Sequence, residues 1–324
     1  MSVQKHIHVI NPLIDPTGGS EWRAVSLYRE LREVADATLW RFADGVSDSF
    51  DVPSRAISTP RLQYPCGGTV VFVGVYFGIG KWIWLAQPQR VILVYNTPDP
   101  ERLAKHVRHI RRACRLEPEI VFCSEALARG MSHRGTVEAS IVDVDHFRPV
   151  DRSHHLHFTV GRLSRATEEK HHPGDLTFYD RLLGAGVDVD VLGATHSMMR
   201  FAPSRPGLRL RPAGDIAADQ HLGSIDCFFY RTSPQWSEPW GRVVIEAMAS
   251  GLPVLIERRT GASSVIENGR NGFLFETEDE ALEVILRLKN DKKFRAAIGA
   301  AARESAVKIM SADARKAICD FYLR

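Results

Sequence analysis

Residues 237–275 constrain this chain more than any other stretch, because they join a loop, a helix and a strand in direct succession. The loop SEPWG leads into residues 242–250, where apolar side chains recur at helical spacing, and Gly251 ends that helix. The next residues, LPVLI, have the composition of a short buried strand. Gly261 opens a further helix start, and two Asn-Gly pairs beyond it predict turns. The sequence therefore predicts an α/β segment whose first helix begins directly after an acidic loop.

Two carboxylates frame the start of this helix. Glu238 lies in the loop before it, and Glu246 lies inside it. Taken alone, each would be interpreted as a solvated surface side chain. The helix N-terminus between them, however, offers unpaired N–H groups and a positive dipole end, which suit a phosphate. An ionised carboxylate accepts hydrogen bonds from sugar hydroxyls, so the combination suits a diphosphate joined to sugars.

The whole segment resembles the C-terminal signature of retaining GT-B glycosyltransferases, the family-4-like group (glycosyl transferases group 1). The family pattern is E-x7-E within E-[SP]-[FW]-G and EAMA-x-G-x-PV, followed by N-G-x-L. The residues in register with it are Glu238, Pro239, Trp240, Gly241, Glu246, Ala247, Met248, Ala249, Gly251, Pro253, Val254, Asn271 and Gly272. The family usually has Gly-Gly and a glutamate in the turn after the strand, where this chain has Thr260-Gly261 and Ser264. A ligand contact through that glutamate is therefore not carried over.

The resemblance extends to a Gly-Arg-Leu motif that begins at Gly161. In the family, the arginine and a following lysine grip the donor diphosphate, and Arg162 matches the arginine in place. Lys170 is the expected lysine, slightly further along the chain than is usual, and Arg165 is its rival. A phosphate clamp needs cations beside backbone donors, and either candidate supplies one.

The N-terminal half shows the pattern of the fold rather than its motifs. A strand at residues 6–10, a loop with Gly18-Gly19 and a helix at residues 21–34 predict the start of an α/β unit. The loop lacks G-x-G-x-x-G and could be a plain tight turn. The resemblance implies that Gly18 and Gly19 face the donor phosphates. Asn96 stands at a strand end where relatives place a histidine, and is assigned to the acceptor side.

The resemblance also implies a role for each donor-site residue. Arg162 and Lys170 neutralise charge on the leaving diphosphate, which is electrostatic catalysis. Glu238 orients the donor sugar, and Glu246 takes the ribose hydroxyls. Gly193 ends the strand at residues 188–192, where a nucleotide base sits in doubly wound sheets. The donor-binding set is completed by Pro239, Trp240 and Gly241.

Neither a metal nor a cofactor is predicted beside the nucleotide-diphosphate sugar substrate. Asp143-Val144-Asp145 looks like the metal motif of the other glycosyltransferase fold, but such a triplet is common, and residues 188–190 repeat it within a predicted strand. Alternation would put His155 and His157 on one strand face, without a nearby carboxylate or cysteine in sequence to complete a site. A surface role is expected for these histidines.

Length and composition indicate two globular domains, and the resemblance implies the GT-B fold, in which two Rossmann-like domains face a cleft. The chain has 324 residues, of which 44% are apolar and 25% charged. Residues 1–150 are predicted as the acceptor-side domain, residues 151–310 as the donor domain, and residues 311–324 as a C-terminal helix able to pack back on the first domain. The net charge of +3 is too small to indicate nucleic acid as a partner.

A cytoplasmic location is expected, with contact to a membrane surface as an open alternative. Five scattered cysteines fit a reducing compartment. Residues 69–86 are long enough to span a bilayer, but glycines and Lys81 interrupt them, so a buried strand and a short helix are predicted there. The basic helix between Lys105 and Arg115 is either a solvated face or a contact with an anionic membrane or a lipid-diphosphate acceptor.

These patterns predict transfer of a sugar from a nucleotide-diphosphate donor to a glycan or a lipid-linked acceptor, with retained anomeric configuration and without a metal. One alternative is a nucleotide-sugar-binding protein without activity, because Asn96 and Ser264 depart from the family pattern. Another is a dehydrogenase, which the missing glycine fingerprint disfavours.

Overall fold

The computed structural model describes residues 6–42, 47–202 and 204–324. The chain divides into two compact units. The first unit runs to Ile141 and also includes Ala312–Arg324, and the second unit is Val142–Ser311. The boundary thus precedes the predicted one at residue 150. The reason is visible in the second unit, where Nη1 of Arg303 donates to the carbonyl oxygens of Val144 (2.6 Å) and Phe147 (2.9 Å) and so fastens this segment to it.

A seven-stranded parallel sheet forms the centre of the first unit, in the order β3-β2-β1-β4-β5-β6-β7. Its strands are β1 Ile7–Ile10, β2 Ala37–Arg41, β3 Arg55–Ala56, β4 Thr69–Gly74, β5 Arg90–Tyr95, β6 Glu119–Phe122 and β7 Thr136–Val137. Its helices are α1 Gly19–Val34, α2 Ile83–Ala86, α3 Pro100–Cys114 and α4 Glu125–Arg129. The strand β4 is buried along its whole length. This agrees with its continuous apolar sequence, because strands of parallel sheets are covered on both faces.

The second unit contains a six-stranded parallel sheet in the order β10-β9-β8-β11-β12-β13. Its strands are β8 Thr159–Leu163, β9 Asp188–Leu192, β10 Leu208–Arg211, β11 Cys227–Tyr230, β12 Val254–Glu257 and β13 Phe273–Phe275. Its helices are α5 Asp175–Gly184, α6 His196–Phe201, α7 Ala218–Gly223, α8 Arg242–Ala249, α9 Glu278–Asn290 and α10 Lys292–Ile309. The carboxyl ends of these parallel strands share one edge, where doubly wound folds bind ligands.

The C-terminal helix α11, Ala312–Leu323, belongs to the first unit. Nη1 of Arg315 donates to Oε1 of Glu30 on α1 at 2.8 Å, and Nη1 of Arg90 donates to the carbonyl oxygen of Phe321 at 2.9 Å. The side chains of Cys319 and Tyr322 are buried in the apolar core of that unit. These contacts anchor the end of the chain to both a helix and a strand of the N-terminal sheet.

Two local predictions differ from the structure. Residues 154–157 precede β8 and are not part of a strand, so His155 and His157 do not share a strand face. Nδ1 of His155 instead lies 3.2 Å from Oδ1 of Asp226, which draws this segment onto the start of the second sheet. The helix start at Gly261 is a single 3₁₀ turn, Gly261–Val265.

The stretch at residues 69–86 forms β4 and α2, and within the described residues no helix is long and apolar enough to cross a membrane.

Candidate donor site in the second unit

Lys170 and Glu238 meet at the carboxyl edge of the second sheet, although 68 residues separate them in the sequence. Nζ of Lys170 donates to Oε2 of Glu238, and the hydroxyl of Tyr230 donates to the same oxygen at 2.7 Å. Burial acts to raise the pKa of Glu238, but the Lys170 ammonium and the Tyr230 hydroxyl outweigh it and hold that pKa below its ordinary value. The site therefore contains an ionised carboxylate paired with a cation.

The Lys170 side chain is fixed by more than this ion pair. Its Nζ lies 5.3 Å from the ring centroid of Trp236, a cation–π contact. The backbone N–H of Ser233 donates to the carbonyl oxygen of Glu169 at 3.1 Å and so joins the two loops. Arg165, the rival for the lysine role, is half-buried, and its charge also lowers the pKa of Glu238. Both candidate cations thus act on Glu238, but only Lys170 is shown hydrogen-bonded to it.

Arg162, which the resemblance assigned to the diphosphate clamp, is buried and bonded to backbone. Its side chain is 1% exposed. Nη1 donates to the carbonyl oxygen of Arg231 at 2.6 Å, and Nη2 donates to that of Lys170. The guanidinium also lies 4.9 Å from the ring centroid of Tyr230. In this structure Arg162 faces the backbone behind the site, where it holds the segment that carries Lys170.

Arg231 is a site residue that the sequence analysis missed. Its Nε donates to Oδ1 of the buried Asp175 at 2.6 Å, and its Nη1 donates to Oε1 of Glu278 at 2.9 Å. Arg231 also supplies the carbonyl oxygen that Arg162 binds. The sequence feature that could have identified Arg231 is its position directly after β11, where the acidic loop begins. This network connects the start of α5, the start of α9 and the loop, and thereby fixes where the loop leaves the sheet.

Gly193 follows β9 and has a demonstrable structural reason to be glycine. Its φ is +92°, and a Cβ added there would lie 1.7 Å from the carbonyl oxygen of Ser164. The Gly193 carbonyl oxygen lies 2.9 Å from Nε2 of His171, whose pKa burial lowers to about 3, so the ring is neutral and donates there. The ends of β8 and β9 and the Lys170 segment are consequently packed together without space for a side chain.

The start of α8 is shaped by two glycines. Gly241 precedes the helix with φ +79°, and the N–H of Gly261 donates to the carbonyl oxygen of Glu238 at 2.7 Å. A Cβ at Gly261 would lie 2.0 Å from the carbonyl oxygen of Pro239. Trp240, which lies between Pro239 and Gly241, is 9% exposed. The loop that carries Glu238 is therefore held at its backbone, close to the helix N-terminus.

Glu246 is not a solvated helix residue. Its side chain is 9% exposed, and Oε1 accepts a hydrogen bond from Nε of Arg242, one turn earlier, at 2.8 Å. Arg242 opens α8, so this carboxylate lies beside the helix start that was predicted to receive the phosphates. The interpretation of Glu246 as an exposed side chain is wrong.

The paired glycines of the first unit do not leave a free helix start. The Glu21 carboxylate folds back over it, so that a Cβ at Gly18 would lie 2.0 Å from Oε2 of Glu21, whereas Gly19 has open space. Oε1 of Glu21 accepts from the hydroxyl of Tyr76 at 2.5 Å, and Oε2 accepts from the hydroxyl of Ser20 at 3.0 Å. The chain's own carboxylate thus takes the position beside α1 that the resemblance assigned to donor phosphates.

Asn96 is engaged in a buried network of the first unit. Its Oδ1 accepts from Nη1 of Arg23 at 2.5 Å, and Nη2 of Arg23 lies 3.2 Å from Oε1 of Glu138. The hydroxyl of Tyr322 donates to that same carboxylate oxygen at 3.1 Å. Burial raises the pKa of Glu138, against the influence of Arg23. Asn96 therefore has a structural partner within the first unit.

The Asp143–Asp145 segment forms a turn. Oδ1 of Asp143 accepts from the backbone N–H groups of Asp145 at 3.0 Å and His146 at 2.9 Å. In the part of the chain that the structure describes, no group of three or more His, Cys, Asp or Glu residues is arranged to hold a metal ion. The acidic triplet is accounted for locally as an Asx turn.

Comparison with known structures places the fold. HepE of Anabaena, solved in complex with UDP and glucose, matches with a TM-score of 0.76 and 18% identity over 98% of this chain and 99% of its own. A glycosyltransferase from Rickettsia africae matches with a TM-score of 0.72 and 14% identity over 99% of this chain and 98% of its own. The prediction of two Rossmann-like α/β domains with parallel sheets is confirmed, and the structural neighbours with this fold include glycosyltransferases.

Sequence comparison identifies the C-terminal part more closely. Residues 217–305 match the family described as glycosyl transferases group 1. Spore coat protein SA of Bacillus subtilis is 40% identical over 77 residues, which are 23% of this chain and 20% of that protein. Sulfoquinovosyl transferase SQD2 of Arabidopsis thaliana is 41% identical over 80 residues, which are 23% of this chain and 16% of that protein. The chain therefore aligns with about a fifth or less of the length of these relatives. The family match, residues 217–305, includes Glu238 and Glu246.

Proposed function

We propose that this protein is a glycosyltransferase that moves a sugar from a nucleoside-diphosphate sugar to an acceptor. The observation that carries the proposal is the ion pair between Lys170 and Glu238 at the carboxyl edge of the second sheet. Glu238 lies beside the start of α8 and within the segment that matches glycosyl transferases group 1, whereas Lys170 lies before that segment. A cation suits a diphosphate, and a carboxylate suits the hydroxyls of the sugar attached to it.

In the proposed reaction, the bond between the anomeric carbon and the diphosphate oxygen breaks while an acceptor hydroxyl oxygen bonds to the anomeric carbon. The acceptor's proton passes to the leaving diphosphate, on which negative charge grows as the first bond breaks. Lys170 supplies the positive charge that stabilises it, and the N-terminus of α8 adds N–H donors. Arg162 acts through the Lys170 segment, because its guanidinium donates to the Lys170 carbonyl oxygen. Glu238 orients the donor sugar once the ligand competes for Lys170. Retention of the anomeric configuration is part of the proposal and follows the family resemblance.

We propose that Glu246 accepts hydrogen bonds from the ribose hydroxyls. Only its Oε1 is shown bonded to Arg242, and a carboxylate has further lone pairs on both oxygens. Gly193, Pro239, Trp240 and Gly241 complete the proposed donor-binding surface through their backbones and close packing. The glycosyl acceptor is proposed to be a glycan or a lipid-linked sugar, with Asn96 on its side.

The experiment that tests the function is a transfer assay with radiolabelled nucleotide sugars. UDP-glucose is the first donor, because the HepE structure contains it. Incubation with a cell extract that contains both glycans and lipids should move label into a product that survives removal of the donor. Saturable donor binding without a labelled product would instead support the second candidate, an inactive nucleotide-sugar-binding protein. The departures at Asn96 and Ser264 from the family pattern favour that candidate.

Activity is expected to survive excess EDTA, because Lys170 and the start of α8 are proposed to serve the phosphates. The measurement is the initial rate of transfer before and after chelation, with and without added Mg²⁺ or Mn²⁺. Loss of rate on chelation, followed by recovery with either ion, would contradict the proposed mechanism. It would also return Asp143 and Asp145 to consideration as metal ligands.

We further propose that the protein binds the inner face of an anionic membrane through α3. Lys105, Arg108, Arg111, Arg112 and Arg115 are all exposed. Beside them on α2, Trp84 is 53% exposed and Leu85 is 51% exposed, and the Trp84 ring packs edge-on against His109 of α3 at 6.4 Å. Exposed aromatic and aliphatic residues next to basic ones are typical of membrane-surface contacts.

The protein should sediment with vesicles of phosphatidylcholine and phosphatidylglycerol at low salt and be released at high salt. Each basic side chain near such a surface contributes about 1 kcal/mol, screened over roughly 8 Å at physiological salt. The triple substitution Arg108→Glu, Arg111→Glu, Arg112→Glu should abolish sedimentation. Lys292→Glu, Lys293→Glu, Lys308→Glu makes the same change of charge at exposed sites of α10 and should not. Equal binding to neutral and anionic vesicles would remove the proposal.

A further inference from the structure

A cavity of about 950 Å³ lies within the first unit, between α3 and the loop that joins β4 to α2. We name it the basic cavity because five cations line it. They are Lys81, Arg102, Lys105, Arg108 and Arg112. The aromatic side chains of Tyr76 and Phe77 also line it, with ring centroids 5.4 Å apart. Its volume is within the range of small-molecule sites in proteins.

The positive charge of the basic cavity exceeds its negative charge. Two carboxylates, Asp99 and Glu101, face the five cations. Nε of Arg102 lies 3.3 Å from Oδ2 of Asp99, so that one cation is paired. For Lys105 and Arg112, no ion pair or side-chain hydrogen bond is found with the described residues, and both are exposed to solvent. Cations without protein partners around one cavity are an anion-binding arrangement.

The loop that closes the basic cavity is held in place. The ring of His106, which is buried on α3, lies between two carbonyl oxygens, with Nδ1 2.8 Å from that of Arg102 and Nε2 2.9 Å from that of Phe77. The loop begins with Val75, which is fully buried and has φ +49°, an unusual conformation for a β-branched residue. Strained backbone of this kind is retained where the surrounding structure imposes it, often at binding sites.

The basic cavity also connects to the buried carboxylate of Glu21 in the first unit. Tyr76 lines the cavity, and its hydroxyl donates to Oε1 of Glu21 at 2.5 Å. Four of the five cations lie on α3, whereas the aromatic rings, the Tyr76 hydroxyl and Lys81 lie on the loop. A ligand that combines a phosphate with a less polar body fits both α3 and the loop, because lysine and arginine bind phosphate oxygens and aromatic faces pack against sugars or hydrocarbon.

We propose that the basic cavity binds a phosphate or diphosphate group of the acceptor, so that the acceptor is a phosphorylated molecule. The identification of the ligand as the acceptor rests on the proposed glycosyl transfer. The phosphate site itself rests on the geometry of the first unit. Lys105 and Arg112 are assigned direct contacts with phosphate oxygens. Both a soluble sugar phosphate and the diphosphate of a lipid-linked sugar carry this chemistry.

The test is a calorimetric titration of the 324-residue protein with inorganic pyrophosphate. Lys105→Glu and Arg112→Glu should each weaken binding about tenfold, the effect of losing one charge-assisted contact. Arg111→Glu is the matched control, since Arg111 neighbours Arg112, undergoes the same change of charge and is bonded instead to Glu117 at 2.8 Å. It should weaken binding less than about threefold. A uniform effect of all three substitutions would show general electrostatic attraction only and overturn the proposal.

Two further arms separate the possible sites and sources. Because pyrophosphate can also bind at Lys170, the titrations are repeated in a Lys170→Ala background, where Lys105→Glu and Arg112→Glu should still weaken the remaining binding about tenfold. Loss of all pyrophosphate binding in Lys170→Ala alone would place the binding in the donor site and overturn the inference. Glucose 6-phosphate and farnesyl diphosphate are then compared in the same variants. Tighter binding of farnesyl diphosphate assigns a lipid-linked acceptor, and tighter binding of glucose 6-phosphate assigns a soluble one. Pyrophosphate binding in a protein without transfer activity would support the cavity and reject only the proposed function.

Discussion

Lys170→Ala should lower the rate of sugar transfer by about a hundredfold, equivalent to about 2.7 kcal/mol of transition-state stabilisation. The physical reason is that the ammonium of Lys170 is the proposed counter-charge for the leaving diphosphate. Its present partner, Glu238, shows that the side chain is already held in the site. The measurement is kcat/KM with the radiolabelled donor, together with donor affinity from the rise in Tm, since a bound ligand stabilises the folded state by mass action.

The control must separate lost catalysis from lost structure. Removing Lys170 leaves the Glu238 carboxylate, 13% exposed, without its cation. Because an unpaired buried charge destabilises a fold, the double variant Lys170→Ala, Glu238→Gln is measured beside the single one. Both should melt cooperatively, and both should lose about a hundredfold or more of the transfer rate. Arg165→Ala is the matched cation control and should retain most of the activity. An inactive Arg165→Ala with a nearly normal Lys170→Ala would show that Arg165 is the family lysine's equivalent.

The features that the sequence predicted correctly depend on residues that are close together in the chain. The helix α8 and the strand β12 follow from apolar periodicity and from the glycines around them, which act within a few residues. The parallel sheets follow from apolar strands that alternate with helices. The proximity of Lys170 and Glu238 came from resemblance alone, because no periodicity relates residues 68 positions apart.

What the sequence did not predict depends on contacts between distant residues. The burial of Arg162 is set by carbonyl oxygens of Lys170 and Arg231, whose approach only the assembled sheet determines. The folding back of Glu21 depends on the hydroxyl of Tyr76, 55 residues away. The domain boundary was misplaced because Arg303 binds the linker from 156 residues further along the chain. Each difference involves a charged side chain whose partner is a backbone or hydroxyl group without a sequence signature.

Gly193→Ala should destabilise the second unit by more than about 4 kcal/mol, the range reserved for severe steric and backbone strain. Two costs combine at this position. The φ of +92° is unfavourable for any residue with a Cβ, and that Cβ would lie 1.7 Å from the carbonyl oxygen of Ser164. The obstacle is backbone at the end of β8, so a side-chain rotation cannot relieve it. The measurement is urea unfolding followed by circular dichroism, which should show a much lower midpoint or loss of the folded state.

Gly184→Ala is the matched control, because it makes the same change in the same unit at the end of α5, where a Cβ meets nothing within 4 Å. It should be neutral or stabilise by up to about 1 kcal/mol, since alanine restricts the unfolded chain. Gly193→Ala protein that still folds should bind the donor weakly, because relief of the clash must separate Ser164 from Gly193 and thereby move the Lys170 segment. Normal stability together with normal donor affinity in Gly193→Ala would contradict the close packing of β8 against β9 on which the proposed donor site depends.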